Sequence, residues 1–184
     1  MDALTVYTIG HSTHTIDEFA QLLQTHGVRG VVDVRTVPRS RHTPQFNEDV
    51  LGTALGAHGV AYTHLAALGG LRHTTKASVN TGWRNASFRG YADYMQTSAF
   101  AAGIDELRAV AAERPTAIMC AEAVPWRCHR SLIGDALIVR GDRVLDIIGA
   151  GAPREETLTP FARVEGTAIT YPGDEPDTES DGAK

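Results

Sequence analysis

Short β-branched and apolar runs alternate with helical patterns along this chain, and that alternation limits the fold more than any other feature. Residues 4–9 read as a strand that stops at Gly10-His11-Ser12-Thr13. Thr15-Ile16-Asp17-Glu18 then opens a helix through about residue 24, with Ile16, Phe19, Ala20, Leu22 and Leu23 as its apolar face and Gly27 as its stop. Residues 30–34 are a second strand, apolar enough to be buried on both faces, which runs into a loop rich in Arg, Pro and His. Asn47 caps a helix over 48–58, ended by Gly59, and residues 60–64 are a third strand. Residues 65–89 show no clean period and read as a long loop. Helical pattern returns over 91–112, broken near Ser98; 116–119 is a central strand, 127–139 a helix and 143–147 a last strand. Strands alternating with helices predict a single α/β domain, a mostly parallel sheet flanked by helices on both faces, in a Rossmann-like three-layer sandwich.

The 184 residues fit one domain with a real core. No run approaches the roughly 18 apolar residues of a membrane span, and the first residues lack the basic-then-apolar order of a signal peptide, so a cytoplasmic protein with no membrane partner is expected. In that compartment Cys120 and Cys128 are expected to stay reduced, without a structural disulfide. The net charge of −5 comes wholly from residues 153–184, which hold three basic and eight acidic side chains. The α/β domain is therefore assigned to 1–152, and 153–184 to an acidic extension that composition predicts to be disordered from about 171.

Every strand-to-helix loop of a parallel sheet opens at its carboxyl edge, where open α/β folds bind ligands. Those loops carry Arg35, Arg39, Arg41, Arg72, Lys76, Arg84, Arg89, Arg127 and Arg130, against only Asp33 and Glu122. Phe46, Trp83, Phe88, Tyr91 and Trp126 are interleaved with them. A basic edge with aromatics suits a nucleotide or nucleic acid, with phosphates on arginines and bases stacked on rings.

The densest chemistry lies in Cys120-Ala-Glu122-Ala-Val-Pro125-Trp126-Arg127-Cys128-His129-Arg130. A helix starting near Arg127 would present free N–H groups to phosphate beside Arg127 and Arg130, and would favour a thiolate at Cys128. Neither cysteine has the arginine spacing of a phosphatase loop. Cys128 and His129 are adjacent and point about 100° apart on a helix, so no metal site and no cofactor are expected. Asp33 ends a buried strand and Glu122 lies two residues beyond another. If the strands are neighbours, the two carboxylates share the basic rim as a general base and a stabiliser of positive charge, as glycosidic cleavage requires. The alternative is that Asp33 is only the ion partner of Arg35 or Arg130.

Four ordered motifs carry a resemblance. Thr8-Ile9-Gly10-His11-Ser12, Val32-Asp33-Val34-Arg35 with Pro38-Arg39-Ser40-Arg41 and Pro44-Gln45-Phe46, Leu68-Gly69-Gly70, and Met119-Cys120-Ala121-Glu122 with Pro125 and Cys128-His129-Arg130 resemble the DUF488 family over residues 5 to about 148. Some members are similar to DNA deglycosylases that remove a thio-modified guanine. The resemblance implies a site of Gly10, His11, Ser12, Asp33, Arg35, Arg39, Ser40, Arg41, Cys120, Glu122, Cys128, His129 and Arg130. A His-Ile pair is expected in the last strand, where this chain has Asp146-Ile147.

Together these readings predict a base-excision deglycosylase acting on a modified purine in DNA. Asp33 or Glu122 would support water attack, and His11 or His129 would protonate the leaving base. Arg35, Arg39, Arg41 and Arg130 would hold phosphates, and Trp83, Phe88 or Trp126 would stack. Two rivals use the same rim: a nucleotide or phosphoester hydrolase, and a non-catalytic nucleic-acid or nucleotide-binding module.

Overall fold

The structure, a computed structural model, describes residues 2–174. Strands β1 (Thr5–Gly10), β2 (Gly30–Asp33), β3 (Ala61–His64), β4 (Thr116–Cys120) and β5 (Arg143–Ile147) are parallel, and β6 (Arg154–Glu155) adds antiparallel to β5. The order across this six-stranded sheet is β3-β2-β4-β1-β5-β6. The expected alternation of strand and helix is thus present, with β6 as an addition the sequence pattern did not reveal.

Period-two side-chain alternation sorts each central strand onto two cores. Val6, Val32, Val34, Ile118 and Cys120 face one side, where they meet Tyr91 of α3 (Ala86–Tyr94), Phe100, Ile104 and Leu107 of α4 (Ser98–Glu113), and Leu132, Ile133 and Leu137 of α5 (Arg130–Ile138). Ile9, Val31, Ala117 and Met119 face the other side, against Phe19 and Leu23 of α1 (Ile16–Thr25) and Leu51 and Leu55 of α2 (Glu48–Gly56). Three layers result, with five α-helices among the described residues. Each fully buried Leu, Ile or Phe contributes about 1.5–3 kcal/mol against solvent exposure.

Local signals explain the helix starts. Thr15 accepts from the backbone of Glu18 while the Glu18 carboxylate accepts from the backbone of Thr15, a complete capping box. Thr97 caps α4 and supplies the break expected near Ser98. Asn47 does precede α2, but its side chain accepts from Ser40 N instead of capping, so it ties the arginine-rich loop to the helix. The helix expected from Arg127 begins three residues later. Residues Pro125–Arg127 form a 3-10 turn, and Arg130 opens α5.

The chain after residue 152 is not a separate appendage over its described length. Arg154 bonds Asp146 of β5, Glu156 is buried, and the hairpin of β7 (Arg163–Glu165) and β8 (Ala168–Thr170) leads to Tyr171. Tyr171, where composition predicts disorder to begin, is fully buried and donates to Asp135 at 2.7 Å. A single aromatic ring at the end of a polar segment outweighed the composition around it. Residues 175–184 of the predicted disordered tail lie outside the described residues. Among the described residues, no helix is long and apolar enough to cross a membrane.

Candidate functional site

Strand β1 feeds α1 on one face of the sheet, while its neighbour β4 feeds α5 on the other. Their carboxyl ends therefore part at a topological switch point, where the polypeptide leaves a crevice. Two backbone bonds stitch the crevice at its base: His11 N donates to Cys120 O and Ser12 N to Ala121 O, at 2.9 and 3.0 Å. Ser12 takes the left-handed conformation (φ 44°) to do so. Gly10 is required here, because a Cβ on it would collide with the Glu122 carbonyl.

A cavity of about 470 Å³ opens beside this crevice, between the ends of β2 and β4, and its walls include Arg35, Thr36, Leu71, Phe88, Cys120, Glu122, Arg127, Cys128 and His129. The volume is within the roughly 300–1,000 Å³ of small-molecule sites. Of the expected residues it gathers Arg35, Phe88, Cys120, Glu122, Cys128 and His129. Glu122 is exposed, and it is the carboxylate in the cavity wall.

Asp33 does not join it. The carboxylate is fully buried and accepts from Arg35 Nε at 2.9 Å, Arg35 Nη2 at 2.7 Å, Arg35 N at 3.1 Å and the Tyr62 hydroxyl at 2.6 Å. That bidentate pair fixes the guanidinium of Arg35 at the cavity edge, with a further bond to Phe46 O. Asp33 is the ion partner of Arg35, and of the expected pair of carboxylates only Glu122 lies in the cavity wall. The Tyr62 phenol, half-buried and hydrogen-bonded to this carboxylate, is pushed far above its usual range, first by partial burial and then by Asp33.

Both expected proton donors are held neutral near pH 7. His129 is driven down to about 4, chiefly by burial. Its Nε2 lies 2.7 Å from Val34 O, so that nitrogen carries the proton and Nδ1 accepts. His11 is likewise lowered, first by burial; its ring stacks on Phe46 at 4.4 Å and its Nε2 lies 3.3 Å from Arg35 Nη1, behind the guanidinium and not in the cavity wall.

The basic rim divides. Arg130 is fully buried and points into the sheet, where it donates to Cys120 Sγ, Thr8 Oγ1 and Glu122 O. It holds no phosphate. The later start of α5 moved it from an open helix end to the core. Arg72 lies over the Tyr94 ring at 3.6 Å and bonds Gly69 O, and Arg89 bonds Trp83 O. Arg39, Arg41, Lys76, Arg84 and Arg127 are exposed. Arg39 and Arg41 sit on the loop after β2, outside the cavity wall, and Ser40 braces that loop through Asn47 and His42.

The aromatics divide too. Phe88 lines the cavity. Trp83 stands behind it, half-buried, stacked at 5.0 Å and flanked by Phe161 and Tyr171, so it backs Phe88 and is not itself part of the cavity wall. Trp126 is 54% exposed, with Arg154 over its ring at 5.0 Å. The long loop expected over 65–89 is organised by Asp93, which accepts from Thr75 N, Ser78 Oγ and Asn80 Nδ2; these bonds hold its carboxyl below the usual range despite the opposing pull of burial. Tyr62, Thr36, Leu71 and Asp93 were missed by the sequence reading. Only Tyr62 left a signal, an aromatic hydroxyl on the strand beside Asp33.

A family model described as "Domain of unknown function DUF488" matches residues 15–137. No curated protein and no solved structure matches the chain.

Proposed function

The chain belongs to the DUF488 family, whose description names no activity, and from the geometry of its site we propose that it removes a modified purine from DNA by hydrolysing the N-glycosidic bond. The observation that carries this reading is one accessible carboxylate, Glu122, in the wall of a cavity large enough for one nucleoside, with the guanidiniums of Arg35 and Arg127 and the ring of Phe88 in the same wall. An extruded nucleotide costs a few kcal/mol of lost stacking, which Phe88 and apolar Val37 and Leu71 at the cavity offset. Exposed Arg39, Arg41, Lys76 and Arg84 serve the flanking phosphates.

Glu122 takes the proton of a water whose oxygen attacks C1′ of the sugar, and its charge stabilises the oxocarbenium-like state. The C1′–N bond breaks with its electron pair on the purine. Because His11 and His129 are neutral, the departing base is met by a guanidinium rather than protonated by an imidazole, which suits a modified purine that leaves as an anion. The proton held on Glu122 then passes to the released base through solvent.

The test is incubation of the full chain with thioguanine-containing and unmodified duplexes, followed by alkaline cleavage at abasic sites. Abasic sites in the modified duplex, with a Glu122→Gln loss of about 10²–10⁴-fold in turnover at unchanged DNA affinity, are the expected result. The engagement of Asp33 leaves a single accessible acid, which favours one alternative, a non-catalytic nucleotide-binding module. DNA binding with no abasic sites across modified purines would establish that alternative and overturn the enzyme; absence of binding would overturn both.

A further inference from the structure

Cys120 at the end of β4 and Cys128 after the 3-10 turn approach sulfur to sulfur in the cavity wall. The sequence places both on one rim but as separate reduced thiols; the structure pairs them. Their Cα atoms stand 7.4 Å apart, wider than the roughly 4.4–6.8 Å that bridged cysteines span, so a bond between them draws the turn toward the strand.

The surroundings of Cys120 distinguish it from a packed thiol. Arg130, fully buried, places Nε 3.1 Å from Cys120 Sγ, and among the described residues that nitrogen has no oxygen acceptor. The other arms of the guanidinium reach Thr8 Oγ1 at 3.0 Å and Glu122 O at 2.7 Å, both uncharged. Asp146 is one step removed, accepting from the Thr8 hydroxyl and shared with Arg154. A neutral thiol is a weak acceptor, and a buried cation without a direct anion is costly. A thiolate at Cys120 resolves both. Cys128 differs: its sulfur lies 3.4 Å from His129 Nδ1, the nitrogen left as an acceptor by the bond to Val34 O, so it is held as a thiol donating to a neutral imidazole.

We propose that Cys120 and Cys128 form a peroxide-sensitive thiol pair that reshapes the cavity, with Cys120 as the attacking thiolate and Cys128 as the resolving thiol. The Cys120 thiolate attacks one oxygen of a hydroperoxide, the O–O bond breaks, and the second oxygen leaves as water or alcohol with a solvent proton. Cys120 is then a sulfenic acid. Cys128 sulfur attacks Cys120 Sγ, the S–O bond breaks, and hydroxide leaves as water with the Cys128 proton. The net change is two-electron oxidation of the dithiol by the peroxide, reversed by a small dithiol. The turn between the cysteines carries Arg127 and Trp126, so closure moves the cavity wall. This inference does not depend on the reaction proposed above.

The full chain, reduced with a dithiol and then titrated with hydrogen peroxide, is read by intact mass, thiol alkylation and peptide mapping. Both thiols should disappear together, leaving a protein two hydrogens lighter with a Cys120–Cys128 cross-linked peptide that a dithiol restores. In Cys128→Ser a sulfenic-acid trap should label Cys120; in Cys120→Ser, Cys128 should stay alkylatable at the same peroxide concentration. Trp126 emission should change on oxidation of the wild type and not of either variant. Two wild-type thiols still alkylatable after peroxide, oxidation without the cross-linked peptide, or Cys128 reacting first would each overturn the proposal. The wild-type mapping needs no variant to fold.

Discussion

Replacing Glu156 by Gln should flatten a fall in stability that the burial of this acid predicts above neutrality. Glu156 follows β6 and is buried against Gly134, where an added Cβ would meet its carboxyl. Its Oε2 is without a hydrogen-bond partner. Burial first, and then the carboxylate of Asp146 beside it, push Glu156 up to about 9 from an ordinary 4.5. Between those values the folded chain keeps a proton that the unfolded chain has released, so stability falls as pH rises, by about 1.4 kcal/mol per pH unit. His129 acts in the opposite sense. Driven down to about 4 from 6.5, it leaves the unfolded chain with the extra proton between those values, and stability rises with pH at the same slope.

The two slopes cancel over the window they share, roughly pH 4.5 to 6.5. Above 6.5 the histidine no longer titrates in either state and the Glu156 contribution stands alone. From pH 6.5 to 8.5 the wild type should lose about 3 kcal/mol from this group, while Glu156→Gln keeps an amide donor toward Asp146 and loses little. Urea unfolding of both proteins at pH 6.5, 7.5 and 8.5 measures the difference, in which shared titrations drop out. An equal fall in the variant, or a flat wild-type profile across that range, would refute the assignment of Glu156 as a buried neutral acid.

Three other perturbations test the frame of the site. Gly10→Ala places a methyl group against the Glu122 carbonyl, and overpacking there should cost about 1–3 kcal/mol in urea unfolding while displacing Glu122 and lowering any turnover in the duplex assay. Asp33→Asn leaves the guanidinium of Arg35, 8% exposed, without its carboxylate; a loss of about 3–5 kcal/mol is expected, and a variant of wild-type stability would show that the pair is not a brace. Tyr171→Phe removes the donor to Asp135 and should cost about 1–3 kcal/mol, with a change in Trp83 emission because the same ring packs on that indole; an unchanged melting temperature would remove the anchoring role of the C-terminal segment.

Elements with a strong period or a paired start and stop signal were legible in the sequence. The strands at 4–9, 30–34 and 116–119 differ from the observed β1, β2 and β4 by no more than one residue at an end, and the strand at 143–147 coincides with β5, because a central parallel strand must be apolar on both faces and few other segments of a short chain look like that. Short edge elements were not legible. β6 spans two residues, and β7 and β8 three each, too few for any alternation to register; β6 is tied to Asp146 of the neighbouring strand, and the segment that carries β7 and β8 is anchored after its last strand by Tyr171 on Asp135 and Asn80, which lie far away in sequence. Among site residues, the carboxyl-edge rule correctly brought Arg35, Cys120, Glu122, Cys128 and His129 to one cavity. It did not say which side chains would point outward, since that depends on where α5 starts, and the 3-10 turn at Pro125–Arg127 shifted the start by three residues.

Counting arginines on a loop edge therefore measured two different things. Arg35 and Arg130 are consumed by the protein, one by Asp33 and one by Cys120, Thr8 and Glu122 O, while Arg39, Arg41 and Arg127 are left to solvent. The internal pair shapes the external set. Arg130 pulls the Glu122 carbonyl inward until it rests against Gly10, where only a hydrogen leaves room for it. With the backbone of Glu122 turned into the sheet, its side chain is directed to the cavity mouth, and the one accessible carboxylate of the wall owes its exposure to a buried cation. A substitution at Arg130 should thus act on Glu122 through the main chain, so a residue with no solvent contact can still shape the cavity wall.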